Sequence, residues 1–128
     1  MKKEMIVYSI SDSLGGTSQK LLSAVTAQYP DIIFNKSYRF PFINKEDELL
    51  DILRDAIKDD ALVISTLVDG KLSSVAREFS LMHGLSYLDL MHPFFEIIKE
   101  KTGRDPIEVP GTLHRLDSEY FNKISAIE

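Results

Sequence analysis

Four short apolar runs, each followed by residues with the apolar spacing of a helix, leave this chain few ways to fold. Met5–Ile10 is a continuous apolar run with β-branched and aromatic members, the pattern of a buried strand. Behind it, Leu21, Leu22, Val25 and Tyr29 are spaced to form one helical face, which Pro30 stops. A second strand is predicted from Ile32–Phe34 through Tyr38–Phe40, ending at Pro41. Asn44 then stands as a helix N-cap with Asp47 three residues on, ahead of Leu49, Leu50, Leu53, Ala56 and Ile57. Ala61–Ser65 is the third strand, and Asp69 and Gly70 open a helix carrying Leu72, Val75, Ala76 and Phe79, closed by Gly84. Ser86–Asp89 is a short fourth strand. Pro93 suits the first turn of a helix with Phe94, Ile97, Ile98 and Lys101 on one side and Gly103 past its end.

Repeated strand-then-helix units with short connections dictate parallel strands joined by right-handed crossovers. The expected architecture is α/β: a small Rossmann-like three-layer domain with a four-stranded parallel sheet, helices on both faces and a C-terminal extension. Residues 1–103 form the parallel domain. Residues 104–128 form the extension: Arg104–Thr112, with Pro106, Pro110 and Gly111, reads as extended, and Asp117 or Ser118 would cap a last helix bearing Tyr120, Phe121, Ile124 and Ile127. That pattern is unfinished at Glu128, and its apolar face is one through which a homodimer would form.

A length of 128 residues suits one domain, and the absence of cysteine excludes a disulfide framework and thiolate metal sites, in keeping with a cytoplasmic protein. No run approaches the roughly 20 apolar residues of a membrane span. A net charge of −5, with no cluster of Lys and Arg, argues against nucleic acid as a partner. A local anion site remains compatible with that charge, since backbone N–H groups and one Arg suffice to bind phosphate.

Open parallel sheets bind ligands beyond the C-terminal ends of their strands, where the strand order reverses. The common order 2-1-3-4 would set Ser11–Ser18 against Thr66–Asp69 across such a crevice, with Arg39 flanking the first loop. Gly15 and Gly16 allow backbone N–H groups to turn toward a ligand at a helix start, and Ser11, Ser13, Thr17 and Ser18 add hydroxyls. The loop is neither G-x-G-x-x-G nor G-x-x-x-x-G-K-[ST]. A turn with helix-capping hydroxyls is the equally weighted structural reading. Asp12 is a candidate general base or Mg²⁺ ligand with Asp89 as its partner, against the plainer role of accepting loop hydrogen bonds. His83, His92 and His114 lack the spacing of a metal pair, so no metal site is expected. No Ser–His–Asp triad is legible. His114 stands in the polar run Gly111–Asp117, as a catalytic or partner-contacting candidate or as part of a surface connector.

Val7–Ser13 with Gly15, Arg39–Phe42, Ser65–Val68, Pro110–Gly111, His114–Asp117, Tyr120–Phe121 and Ile124–Glu128 occur in an order that resembles the N-terminal half of the pyruvate, phosphate dikinase regulatory proteins, a family that includes the phosphoenolpyruvate synthase regulators. The resemblance implies a bifunctional parent protein. Such proteins phosphorylate a threonine of the dikinase or synthase with ADP as donor, and remove that phosphate with inorganic phosphate, releasing pyrophosphate. It also implies a Walker A-like loop in a C-terminal half, which nothing in these residues matches, and no cofactor in this chain. Glu128 would fall near the join to that P-loop domain, and this half alone is expected to be inactive. Ser11, Asp12, Ser13, Gly15, Gly16, Thr17, Arg39 and Thr66 become the expected phosphate or nucleotide contacts. His114, Arg115 and Asp117 become the expected partner contacts, and Asp12 and His114 the catalytic candidates. Leu14 and Gly16 replace the family's usual Thr and Glu, and Lys123 its usual Arg, which keeps the charge and loses the bidentate fork. The alternative is a non-catalytic module that recognises the target enzyme.

Overall fold

The computed structural model describes residues 3–111. Its elements run β1 (Lys3–Ile10), α1 (Gly16–Thr26), β2 (Ile32–Phe40), α2 (Glu46–Lys58), β3 (Leu62–Ser65), α3 (Gly70–His83), β4 (Tyr87–Asp89) and α4 (His92–Thr102). The strands form one sheet, parallel as the alternation predicts, in the common order β2-β1-β3-β4. The last helix expected around Tyr120 and Phe121 lies outside the described residues.

Register decides which side chains face which helices. Tyr8 pairs with Tyr38 and Val63, and Ile10 with Phe40 and Ser65; paired residues share a face of the sheet. On that face Tyr8, Ile10 and Val63 join Leu49, Leu53 and Ala56 of α2 and Leu72 and Ala76 of α3 in one buried cluster. The spacing of Leu49, Ile52, Leu53 and Ala56 is that of a single helical stripe, and all four are buried. Acidic residues in the first turn of α2 and Lys58 in its last suit the helix dipole. The opposite face carries Val7 and Ser9. It meets α1 through Ser9 Oγ and Ser18 Oγ, 2.7 Å apart, so helices lie on both sides.

Three local expectations need correction. The apolar spacing through Tyr29 overstates α1, which ends at Thr26. Leu21, Val25 and Tyr29 are 44%, 45% and 51% exposed, and Ser18 is the buried residue of the helix. Ser18 near the first turn meets the sheet and Leu22 is half-buried, while Leu21, Val25 and Tyr29 stand off. In α4, likewise, no residue is buried, and Phe94, Ile97 and Ile98 are exposed. The N-cap of α2 is Lys45, not Asn44. Lys45 is extended and the end has no side-chain cap, while Asp47 accepts from the neighbouring Glu48 N–H at 3.0 Å. Asp69 does cap α3, accepting from Lys71 and Leu72 N–H groups at 2.8 and 3.1 Å. Among the described residues no helix is long and apolar enough to cross a membrane.

If the α2 side is the main core, Leu53→Ala should destabilise the fold by about 2–5 kcal/mol in urea denaturation. Tyr29→Ser should change stability by less than about 0.5 kcal/mol. Equal losses would contradict this division.

Candidate functional site

The site forms because β1 and β3 are neighbours whose following helices depart to opposite faces. The Thr66 N–H donates to the Ile10 carbonyl at 2.9 Å, so the two chains stay paired one step past the strand ends before they separate. In the gap between the separating loops lies Asp12, 9% exposed. One of its carboxylate oxygens accepts the Val68 N–H at 2.9 Å and the Asp69 N–H at 3.2 Å, tying the β1–α1 loop to the β3–α3 loop. Burial raises the Asp12 pKa above the ordinary carboxylate value. Those two N–H groups pull it back in part, and the Asp69 charge adds to the rise.

The first loop is shaped by its own hydroxyls and backbone. Ser11 Oγ accepts the Ser13 N–H at 3.0 Å, and the Ser11 and Ser13 carbonyls accept from Ile43 and Phe42 N–H groups. Gly15 caps α1 in the left-handed region, at φ 81°, and no side chain caps that helix end. A Cβ on Gly15 would meet Arg39 Nε at 3.3 Å. Arg39 itself donates to the Leu14 carbonyl through Nε, at 2.9 Å, and through Nη2. Nothing lies within 4 Å of a Cβ placed on Gly16, so this position opens outward.

Asp12, Ser13, Gly15, Gly16 and Thr17 line a cavity of about 140 Å³, with Thr66 and Val68 opposite and Met91, Val109 and Gly111 completing the wall. That volume is below the roughly 300 Å³ at which pockets begin to hold drug-sized molecules. It suits a phosphate-sized group better than a whole nucleotide. A larger opening of about 560 Å³ lies at the other end of the sheet, but Glu4, Asp59 and Asp60 line it and would repel an anion.

The structure thus gathers Asp12, Ser13, Gly15, Gly16, Thr17 and Thr66 around one cavity. Ser11 is buried and shapes the loop from below. Arg39 is beside the loop, with its guanidinium on the Leu14 carbonyl. Asp89 does not join Asp12. Its oxygens accept from Met91 and His92 N–H groups at the start of α4 and from Ser73 Oγ at 2.5 Å. Among the described residues no group of three or more His, Cys, Asp or Glu is arranged to hold a metal. His83 packs against Phe79, and His92 Nε2 lies 3.0 Å from the Leu67 carbonyl. His114, Arg115 and Asp117 lie outside the described residues. Sequence reasoning missed Met91 and Val109 in the wall. The Pro- and Gly-rich composition of 104–111 marked a connector but gave no sign that it folds back over the strand ends.

A family described as kinase/pyrophosphorylase matches residues 7–128. A protein of Streptococcus gordonii named as a putative pyruvate, phosphate dikinase regulatory protein is 94% identical over 128 residues, all of this chain and 47% of the relative. Similarly named proteins of Streptococcus sanguinis and Enterococcus faecalis are 88% and 65% identical over the same span, again 47% of each. The chain spans about half the length of the curated relatives it matches.

Two expectations follow from this geometry. The raised pKa of Asp12 means that its ionisation opposes folding: its contribution favours the native state at low pH and is lost as pH rises through the folded pKa. Asp12→Asn keeps an acceptor for the two N–H groups without the charge. It should therefore be more stable than wild type at pH 7, with the gain vanishing toward pH ~4, near the unfolded pKa; thermal melts across pH read this directly. Gly15→Ala should cost about 1 kcal/mol or more at its left-handed position, whereas Gly16→Ala, helical and open, should be neutral or slightly stabilising. Equal melting shifts for the two would contradict the loop geometry.

Proposed function

This chain belongs to the kinase/pyrophosphorylase family, and from that premise we propose that it is the phosphate-binding, target-recognising half of a regulator of pyruvate, phosphate dikinase or phosphoenolpyruvate synthase, acting in the cytoplasm. The full protein transfers a phosphoryl group from ADP to a threonine of its target, leaving AMP. It reverses the modification with inorganic phosphate to give pyrophosphate. The observation that carries the reading is the phosphate-sized cavity at the uncapped start of α1, bounded by Gly15, Gly16, Thr17 and Thr66. The names of the relatives support the choice of target. Their length, about twice that of this chain, supports assigning the P-loop of the reaction to residues beyond this half.

In this reading the backbone N–H groups of the α1 start and the hydroxyls of Ser13, Thr17 and Thr66 orient phosphate oxygens. Arg39 acts as a positioning residue by fixing the Leu14 carbonyl and thereby the turn into Gly15. Asp12 is the candidate acceptor for the threonine proton. A carboxylate with a raised pKa is a better base near neutral pH than an ordinary one.

A second reading, a non-catalytic module that docks on the target enzyme, is favoured by exposed Leu88, Phe94, Ile97 and Ile98. The same exposure is compatible with a homodimer.

NMR titration of the chain with phosphate and with ADP separates these readings. Shifts concentrated at the amides of Gly15, Thr17 and Thr66 are expected; no shift at these amides would remove the phosphate-binding role. Capture of the dikinase that survives Gly16→Val but is lost on substitutions within 112–121 would favour the docking module instead.

A further inference from the structure

After α4 the chain does not leave the domain. Residues 104–110, bounded by Gly103 at φ 71° and Gly111 at φ 75°, run as a strap without helix or strand back to the C-terminal ends of the strands. Both bounding glycines occupy the left-handed region, where reversals of chain direction are made. Val109 and Gly111 supply part of the wall of the cavity beside Asp12, so the strap closes one side of the site. The pair Lys99 Nζ–Asp105 Oδ1, at 2.9 Å, holds the start of the strap to α4, with both side chains more than half exposed. Exposed pairs of this kind contribute little.

A contact further along is specific. Glu108, in the left-handed region at φ 54°, places its carboxylate over Gly70 in the first turn of α3. A Cβ on Gly70 would lie 2.5 Å from Glu108 Oε1, so the carboxylate is seated there because residue 70 has no side chain. The positive end of α3 attracts it. Asp69, whose carboxylate already caps that helix, repels it. The seat is therefore occupied and weakly held, and one residue along the strap it adjoins the cavity wall.

We infer that residues 104–110 form a latched lid over the loop site, that Glu108 on Gly70 is the latch, and that an anionic ligand in the cavity and the closed latch oppose one another. This rests on the phosphate-binding reading for the identity of the ligand, but the lid itself does not. A negatively charged group bound between the α1 start and Thr66 would lie against the wall residue Val109, the chain neighbour of Glu108, whose side is exposed to solvent. Like charges on either side of that wall repel, with part of the repulsion screened by solvent. Binding then favours release of the strap, and closure of the strap disfavours phosphate. Glu108 is in this sense a gating residue that touches no reacting atom.

The test combines amide hydrogen exchange with phosphate titration in the 128-residue chain, wild type against Glu108→Gln and Gly70→Ala. Both variants should speed exchange at the amides of residues 107, 108 and 109 by about twofold or more, since either removes the seated carboxylate. Glu108→Gln, which also removes the charge, should tighten phosphate binding by about twofold. Gly70→Ala, which displaces the carboxylate and keeps its charge, should tighten it less. Asp105→Asn should alter neither measurement. Should Gly70→Ala fail to fold, Glu108→Gln alone decides, because its shape is that of the native residue. Unchanged strap exchange in Glu108→Gln would overturn the latch. Faster exchange with unchanged phosphate affinity would overturn the opposition between latch and ligand. Absence of phosphate shifts at Gly15 and Thr17 in every form would instead remove the phosphate reading, leaving the lid to be decided by exchange alone.

Discussion

The Asp12 carboxylate, shared between the Val68 and Asp69 N–H groups, is the contact on which the geometry of the site depends. Everything beneath it follows from the sheet. Parallel strands in the order β2-β1-β3-β4 make β1 and β3 neighbours, and α1 and α3 must then depart to opposite faces. Two loops separate at that point, and a gap with exposed backbone N–H groups is unavoidable. Asp12 spans it. The cost is a carboxylate held in poor solvent, visible as a pKa raised by burial. An asparagine would bridge the same N–H groups without that cost.

A net charge of −5 bears on how such a site would bind the anion proposed for it. Asp12 lines the cavity, and the guanidinium beside the first loop, that of Arg39, is directed to a carbonyl. Attraction must then come from the uncapped N–H groups of α1 and from hydroxyls, whose orientation is fixed by the fold. Binding built this way is selective by shape and depends less on ionic strength than binding by clustered lysines.

The alternation of apolar runs made the sheet and its parallel sense legible in the residues, because short crossovers allow few alternatives, while its order was taken from fold rules alone. The loop residues were legible for the same reason: Ser13, Gly15, Gly16, Thr17 and Thr66 follow strand ends. What failed was whatever depended on position off the chain's own period. Spacing marked Leu21, Val25 and Tyr29 as a face but did not say whether anything covers it, and they stand in solvent. Asp89 looked like a partner for Asp12, yet a nearer demand, the unsatisfied N–H groups of α4, holds it. Arg39 reaches a carbonyl 25 residues away, and Glu108 lies over Gly70 from still further along the chain. Contacts at that separation leave no periodic trace.

The most direct test of the bridge as organiser of the site is to compare Asp12→Ala with Asp12→Asn, following exchange of the Val68 and Asp69 amides and the phosphate-induced shifts at Gly15 and Thr66 in the same samples. If the bridge shapes the cavity, the alanine variant should speed exchange at both amides together and lose the coupled response of the two loops to phosphate. The asparagine variant should keep both. An alanine variant indistinguishable from the asparagine one would show that the loops hold their places without Asp12, and the bridge would not be what organises the site.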